Sequence, residues 1–181
     1  MSSPQPSLLV LTGASGAGKT AVVDALEAMR IPGVGCYRTD SLPVPPTEEM
    51  VRRWGGTLEW QDASTAWWIE LLLRNDDGVE AAVLEGQLRP HVARLAFERL
   101  GARAARVVLV DCDADVRNER LRGPRGQPEL ISGQMDCWAA YLRGQADALA
   151  VPILDTSAAT PAEGAAWLAA HLRELEALRV G

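Results

Sequence analysis

Gly13-Ala14-Ser15-Gly16-Ala17-Gly18-Lys19-Thr20 is the stretch on which the fold turns. It has the form G-x-x-x-x-G-K-[ST], the P-loop or Walker A pattern, in which glycines let successive backbone N–H groups curl around an anion without Cβ interference. Lys19 is the only lysine among 181 residues; every other cationic side chain apart from the two histidines is arginine. A compact ammonium on a flexible stem suits β- and γ-phosphates, and a planar guanidinium suits them less well. The Thr20 hydroxyl stands where a Mg²⁺ ligand is needed. Gly13, Ala14, Ser15, Gly16, Ala17, Gly18, Lys19 and Thr20 therefore form the expected nucleotide-binding set.

The flanks fit the same reading. A P-loop follows a strand and opens a helix. Ser7–Thr12 is a short apolar run suited to a buried parallel strand. After Gly18, the residues Ala21, Val22, Ala25, Leu26 and Met29 recur at helical spacing until Pro32-Gly33. Further out, strands are expected at Val34–Arg38, Ala81–Glu85, Ala105–Asp111 and Val151–Asp155. Helices are expected at Lys19–Arg30, Thr47–Trp54, Ser64–Asn75, His91–Leu100, Ala114–Leu121, Ser132–Ala148 and Pro161–Leu178, the last with Thr160 as N-cap and Pro161 in its first turn. The alternation predicts an α/β, three-layer P-loop NTPase fold: a five-stranded, mainly parallel sheet with helices on both faces. With no internal repeat or linker, residues 1–181 read as one domain. Ser41–Pro46 is a proline-rich turn, and Gly123–Pro128 a loop poorly suited to regular structure.

Bulk properties narrow the function. Apolar residues make up 48% and charged residues 23%, and the net charge is −6. That balance belongs to a soluble globular chain and argues against a general nucleic-acid binder, a local basic cleft excepted. No apolar stretch reaches membrane-spanning length, and Met1–Ser7 lacks a basic n-region, so a cytoplasmic protein without a signal peptide is expected. Cys36, Cys112 and Cys137 form no CxxC pair and read as buried free thiols. The oligomeric state is not legible.

Ligands of open α/β sheets sit at the carboxyl ends of the strands. Strand two ends in Thr39-Asp40-Ser41. Asp40 is a candidate to take a proton from an acceptor hydroxyl or to hold Mg²⁺ through water; it is also a plausible turn cap. Strand three ends in Glu85, a carboxylate after an apolar strand, the pattern that orients Mg²⁺. Asp111, at the end of strand four, competes for that role. The acceptor segment is expected at about 42–75, where Arg52 or Arg53 could bind an anionic acceptor and Trp54 and Trp60, flanking a glycine pair, could line an acceptor pocket. Arg52 and Arg53 read equally well as a charged pair on a solvated helix. Trp67, Trp68, Leu71 and Leu72 share one helical stripe and read as core. His91 and His171 need no functional reading.

These motifs, in this order, resemble the nucleoside-kinase-like branch of P-loop proteins, which includes adenylate, shikimate and gluconate kinases and chloramphenicol phosphotransferase. Glu85-Gly86-Gln87-Leu88-Arg89 corresponds to the Asp-Gly-Phe-Pro-Arg of adenylate kinases. Val108-Leu109-Val110-Asp111-Cys112-Asp113, followed by Arg117, Arg120, Arg122 and Arg125, corresponds to a strand, an arginine-bearing helix and a lid at about 117–130. Ile153-Leu154-Asp155-Thr156-Ser157 corresponds to the Thr/Ser loop near the base. The resemblance implies phosphoryl transfer from ATP to a small-molecule acceptor, and it favours Glu85 over Asp111 for the metal. It also implies that Arg89 contacts the acceptor or a phosphate, that Arg120 and Arg122 clamp the transferring group, that Arg125 sits on the lid, and that Thr156 lies near the nucleotide base. The chain departs from adenylate kinases at Glu85 and Gln87-Leu88, has a short lid without metal-binding cysteines, and lacks their arginine-rich second-strand region, which leaves the acceptor open.

A MgATP-dependent phosphotransferase acting on a hydroxyl or phosphate of a small molecule is thus the expected activity, with ATP and Mg²⁺ as cofactors. Two other readings stand beside it: an ATP-binding sensor or switch without an acceptor, and a polynucleotide-end kinase. A GTPase is disfavoured, since no Asn-Lys-x-Asp motif is present.

Overall fold

Strands β1 (Ser7–Thr12) and β3 (Ala81–Glu85) are buried along their whole length, and β4 (Ala105–Asp111) is buried at its centre. Apolar runs without a wet face require cover on both sides, which parallel strands joined by helical crossovers provide. The computed structural model, which describes residues 5–180, meets that requirement. Its five strands are all parallel in the order β2-β3-β1-β4-β5, with β2 (Val34–Arg38) and β5 (Ile153–Asp155) at the edges.

Side chains of period two divide the strands between two apolar layers. Leu8, Val10, Ala82, Leu84, Val107 and Leu109 pack against α3 (Thr57–Arg74), α4 (Pro90–Leu100) and α6 (Gly133–Ala148). Leu9, Leu11, Ala81, Val83, Val108 and Val110 pack on the opposite face against α1 (Lys19–Ala28) and α7 (Pro161–Val180). The helices α2 (Thr47–Trp54) and α5 (Ala114–Arg122) flank the carboxyl edge of the sheet. Because β1 lies between β3 and β4, its carboxyl end is bordered by the ends of both.

Several boundaries move from their expected places. α3 starts at Thr57, not Ser64, so Trp60 belongs to a helix and not to a loop. Gly55, at φ +96, ends α2, Gly56 is extended, and the chain restarts at once as helix. β5 starts at Ile153, after Pro152, which has no N–H to give to a ladder. Cys137 is exposed, and Cys36 and Cys112 are half-buried, so the expected burial of the thiols does not hold for Cys137. Among the described residues no helix is long and apolar enough to cross a membrane. The part of the signal-peptide expectation that concerns residues 1–4 lies outside the described residues.

Candidate functional site

At the end of β1, the Thr12 hydroxyl donates to the Leu88 carbonyl at 2.5 Å and accepts from the Leu88 N–H at 3.1 Å, which ties β1 to the segment after β3. The chain then leaves the sheet. A Cβ on Gly13 would stand 2.2 Å from the carbonyl oxygen of Val110 in β4, a backbone atom that cannot yield, so only glycine fits. Gly18, at φ +94, is the N-cap of α1; it has no side-chain cap, and the first turn has no acidic residue. Side-chain caps stand at the heads of α6 and α7, whereas α2, α3, α4 and α5, like α1, have none. Ser132 accepts from the Met135 N–H at the head of α6, and Thr160 and Glu163 bond reciprocally at the head of α7. The head of α1 is left with free N–H groups and the positive end of the helix dipole, which suits an anion.

Lys19 is buried, and its Nζ donates to the carbonyls of Gly13 at 2.8 Å and Ala14 at 3.1 Å. The ammonium thus spans its own loop. Burial pushes its pKa down to about 8; Arg125 acts in the same direction, and Glu85 and Asp40 oppose it.

The Thr20 hydroxyl donates to Glu85 Oε1 at 2.6 Å. Strand register explains the meeting: Glu85 pairs with Leu11, at the same edge of the sheet as the loop. Glu85 is buried, and its second oxygen, Oε2, has no hydrogen-bond partner; the nearest cation is Arg38 Nε, at 3.6 Å. An unsatisfied buried carboxylate oxygen beside a hydroxyl fits a divalent cation. Among the described residues no group of three or more His, Cys, Asp or Glu forms a cage. A cation here would complete its shell with water and phosphate oxygens, as Mg²⁺ does. Asp111 lies on the other flank of β1, where its carboxylate accepts from Arg143 at 3.1 Å.

One cavity adjoins the loop, and a second lies beside the segment after β3. The first, of about 550 Å³, is lined by Gly16, Gly18, Thr20, Arg120, Arg125 and Thr156 among others. The other, of about 630 Å³, is lined by Asp40, Trp54, Trp60, Trp67, Trp68 and Gln87 among others. Gln87 links the second cavity to the loop, since its Nε2 donates to Ser15 Oγ at 2.7 Å while its carbonyl accepts from Gln61. Asp40 is exposed, in a single 3₁₀ turn (Thr39–Ser41) directly after β2.

The arginines separate by position. Arg120 donates to the Thr156 carbonyl at 2.7 Å and hydroxyl at 3.0 Å, and that hydroxyl donates to the Ala17 carbonyl at 2.7 Å. Thr156 is therefore a buried clasp between β5 and the loop as well as a wall of the cavity. Arg125 lines the same cavity and donates to Gln127. Arg122 is exposed and lines neither cavity. Arg117 is buried and paired with Asp136, so it is neither solvated nor in a cavity. Arg89 pairs with Asp62 and donates to the Leu58 carbonyl at 2.9 Å, which fastens α3 to the head of α4; it lines neither cavity. Arg53 lines the second cavity, paired with Glu49 at 2.9 Å and with its guanidinium carbon 4.5 Å from the centre of the Trp54 ring. Arg52 is exposed and lines neither.

The expected Trp67–Trp68 core stripe splits. Trp68 is 6% exposed but Trp67 is 46% exposed, and both line the second cavity. Gln87 and Arg38 join the site although sequence reasoning assigned them no role. The signal available for both was their place at the carboxyl edge, two residues past Glu85 and at the last position of β2. His91 bonds Gln145 and His171 lies against Arg106, both away from the two cavities.

No protein-family model matches the chain, and no curated protein matches it in sequence. Solved structures do match it in fold. Shikimate kinase from Acinetobacter baumannii, in complex with shikimate, is 14% identical, with 93% of this chain and 94% of that one covered at a TM-score of 0.60. A gluconokinase from Sinorhizobium meliloti is 21% identical over 96% of this chain and 95% of its own, with a TM-score of 0.59. A Janibacter sugar kinase is 18% identical over 96% and 98%, with a TM-score of 0.58. The chain shares the three-layer α/β P-loop fold of these small-molecule kinases.

Proposed function

We propose that residues 1–181 act as a MgATP-dependent phosphotransferase that moves the γ-phosphoryl group to a hydroxyl of a small-molecule acceptor. The observation that carries this reading is the lysine-bearing loop with one cavity walled by its glycines and Arg120, and a second, walled by Asp40 and Gln87, joined to it through the Gln87–Ser15 hydrogen bond. The segment 42–75 would hold the acceptor, and the stretch 117–130 would bring Arg120 and Arg125 to the donor.

The N–H groups of Gly13 to Thr20 and the Lys19 ammonium would bind the polyphosphate. Mg²⁺ held by Thr20 and, through water, by Glu85 would neutralise charge on the phosphate oxygens. Arg120, fixed against Thr156, and Arg125 would bring positive charge to where negative charge develops on the transferring group. Asp40 would accept the acceptor's hydroxyl proton while that oxygen bonds to the γ-phosphorus and the bond to the β-bridging oxygen breaks, releasing ADP. A coupled assay for ADP tests the reading. Release that rises with one acceptor from a panel supports it, and release indifferent to every acceptor overturns it.

The Lys19 environment adds a pH signature. A polyphosphate near Nζ favours the charged form, so the pKa of Lys19 in the complex is higher than the value of about 8 in the free protein, and binding takes up a proton. ATP affinity should be flat below about pH 8 and fall by up to about tenfold per pH unit above it, until the higher pKa of the complex is passed. Calorimetry just above that pH, in two buffers of different ionisation enthalpy, measures the uptake. Wild type should take up a fraction of a proton and Lys19→Arg none; equal uptake by both would remove Lys19 as the source.

A further inference from the structure

The second cavity has a composition that selects among acceptors. Its walls are mostly apolar, and four of the six tryptophans of the chain stand in them: Trp54, Trp60, Trp67 and Trp68. Trp67 and Trp68 meet edge to face, with ring centroids 5.3 Å apart and planes at 75°, so they present two differently oriented faces. Among the described residues, the charged side chains in the lining are Asp40 and Arg53. Arg53 is shared between an exposed i,i+4 pair with Glu49 and the ring of Trp54. The other arginines expected to meet an anionic acceptor are elsewhere: Arg89 is bound to Asp62, and Arg52 faces solvent. An acceptor carboxylate would therefore meet the negative charge of Asp40, with Arg53, already shared with Glu49 and Trp54, as the cation in the lining to offset it.

The rim points the same way. Three of the cavity's own lining residues, Leu42, Val44 and Trp67, are large apolar side chains exposed to solvent. Apolar surface concentrated at the mouth of one cavity marks a ligand-binding groove, where scattered single residues would need no explanation. We infer that the acceptor is an uncharged molecule with a ring-shaped, largely apolar body that stacks on these tryptophans and directs its hydroxyl to Asp40. The inference rests on the phosphotransfer reading and separates this chain from kinases of carboxylated acceptors.

Styrene glycol and mandelate form a matched pair for the test. Both have a phenyl ring and a secondary hydroxyl, and they differ in a hydroxymethyl group against a carboxylate. Binding to the full chain is followed by tryptophan fluorescence and calorimetry, and ADP formation is followed separately. The glycol should bind at least about tenfold more tightly than mandelate, and Trp60→Ala should weaken glycol binding by about tenfold. Mandelate binding as tightly as the glycol, no saturation by the glycol up to about 10 mM, or unchanged glycol binding in Trp60→Ala would each overturn the inference. Selective glycol binding would uphold the ligand class of the cavity, and ADP release indifferent to the glycol and to every other acceptor of the panel would then overturn the phosphotransfer reading. ADP release driven by mandelate or gluconate in preference to the glycol would do the reverse.

Discussion

Lys19→Ala is expected to lower acceptor-dependent ADP release by about 10³-fold while leaving the chain folded. The transferring phosphoryl group spreads charge over its equatorial oxygens, and little covalent chemistry remains for the protein, so catalysis depends on charge neutralisation and alignment. Lys19 is the one ammonium in the sequence and already lies across the loop, on the carbonyls of Gly13 and Ala14. On the proposed reading, removing it leaves the loop amides to hold phosphate but takes away the ammonium that would neutralise charge on the polyphosphate. Stability should not fall with it. Burial holds the Lys19 pKa at about 8, below its ordinary value, so at neutral pH the folded state carries an ammonium that its surroundings disfavour. Thermal unfolding at pH 7 measures this beside the kinetics. A variant that unfolds well below wild type would make the activity loss uninformative about phosphate and would contradict the expected sign.

Glu85→Gln is expected to cut the same activity by about 10²-fold and to raise the Mg²⁺ concentration needed for half-saturation, whereas Asp111→Asn should change either quantity by less than about threefold. The amide keeps an acceptor for the Thr20 hydroxyl, now at 2.6 Å from Oε1, and nearly keeps the volume, so packing should survive. What it lacks is the negative charge that attracts the cation. Asp111 offers the opposite case. It ends a buried strand just as Glu85 does, yet its carboxylate is engaged by Arg143 and its carbonyl by the Thr156 N–H and hydroxyl. Magnesium titrations of both variants decide between the two acids. A loss in Asp111→Asn as large as that in Glu85→Gln would sink the assignment of Glu85.

Much of the loop was legible in the bare sequence, because its parts are local. The glycines, the lysine and the hydroxyl are neighbours in the chain, and a strand before with a helix after fixes how such a loop is presented. The arginines were less legible for the opposite reason. Arg117 and Arg120 stand three residues apart in α5, yet one is buried against Asp136 and the other clasps Thr156, while Arg89 ties α3 to α4. Which partner a long side chain finds depends on elements up to dozens of residues away.

By itself, then, the sequence determined the strand–helix alternation, the phosphate loop and the carboxyl-edge acids, since hydrophobic period and local motif are properties of adjacent residues. Tertiary structure alone decided that Trp60 is helical and that four tryptophans share a cavity with one arginine, and it supplied the Thr20 contact to Glu85, the acid that motif order already favoured over Asp111. Those facts come from strand order, register and packing, which bring together residues that the chain keeps apart.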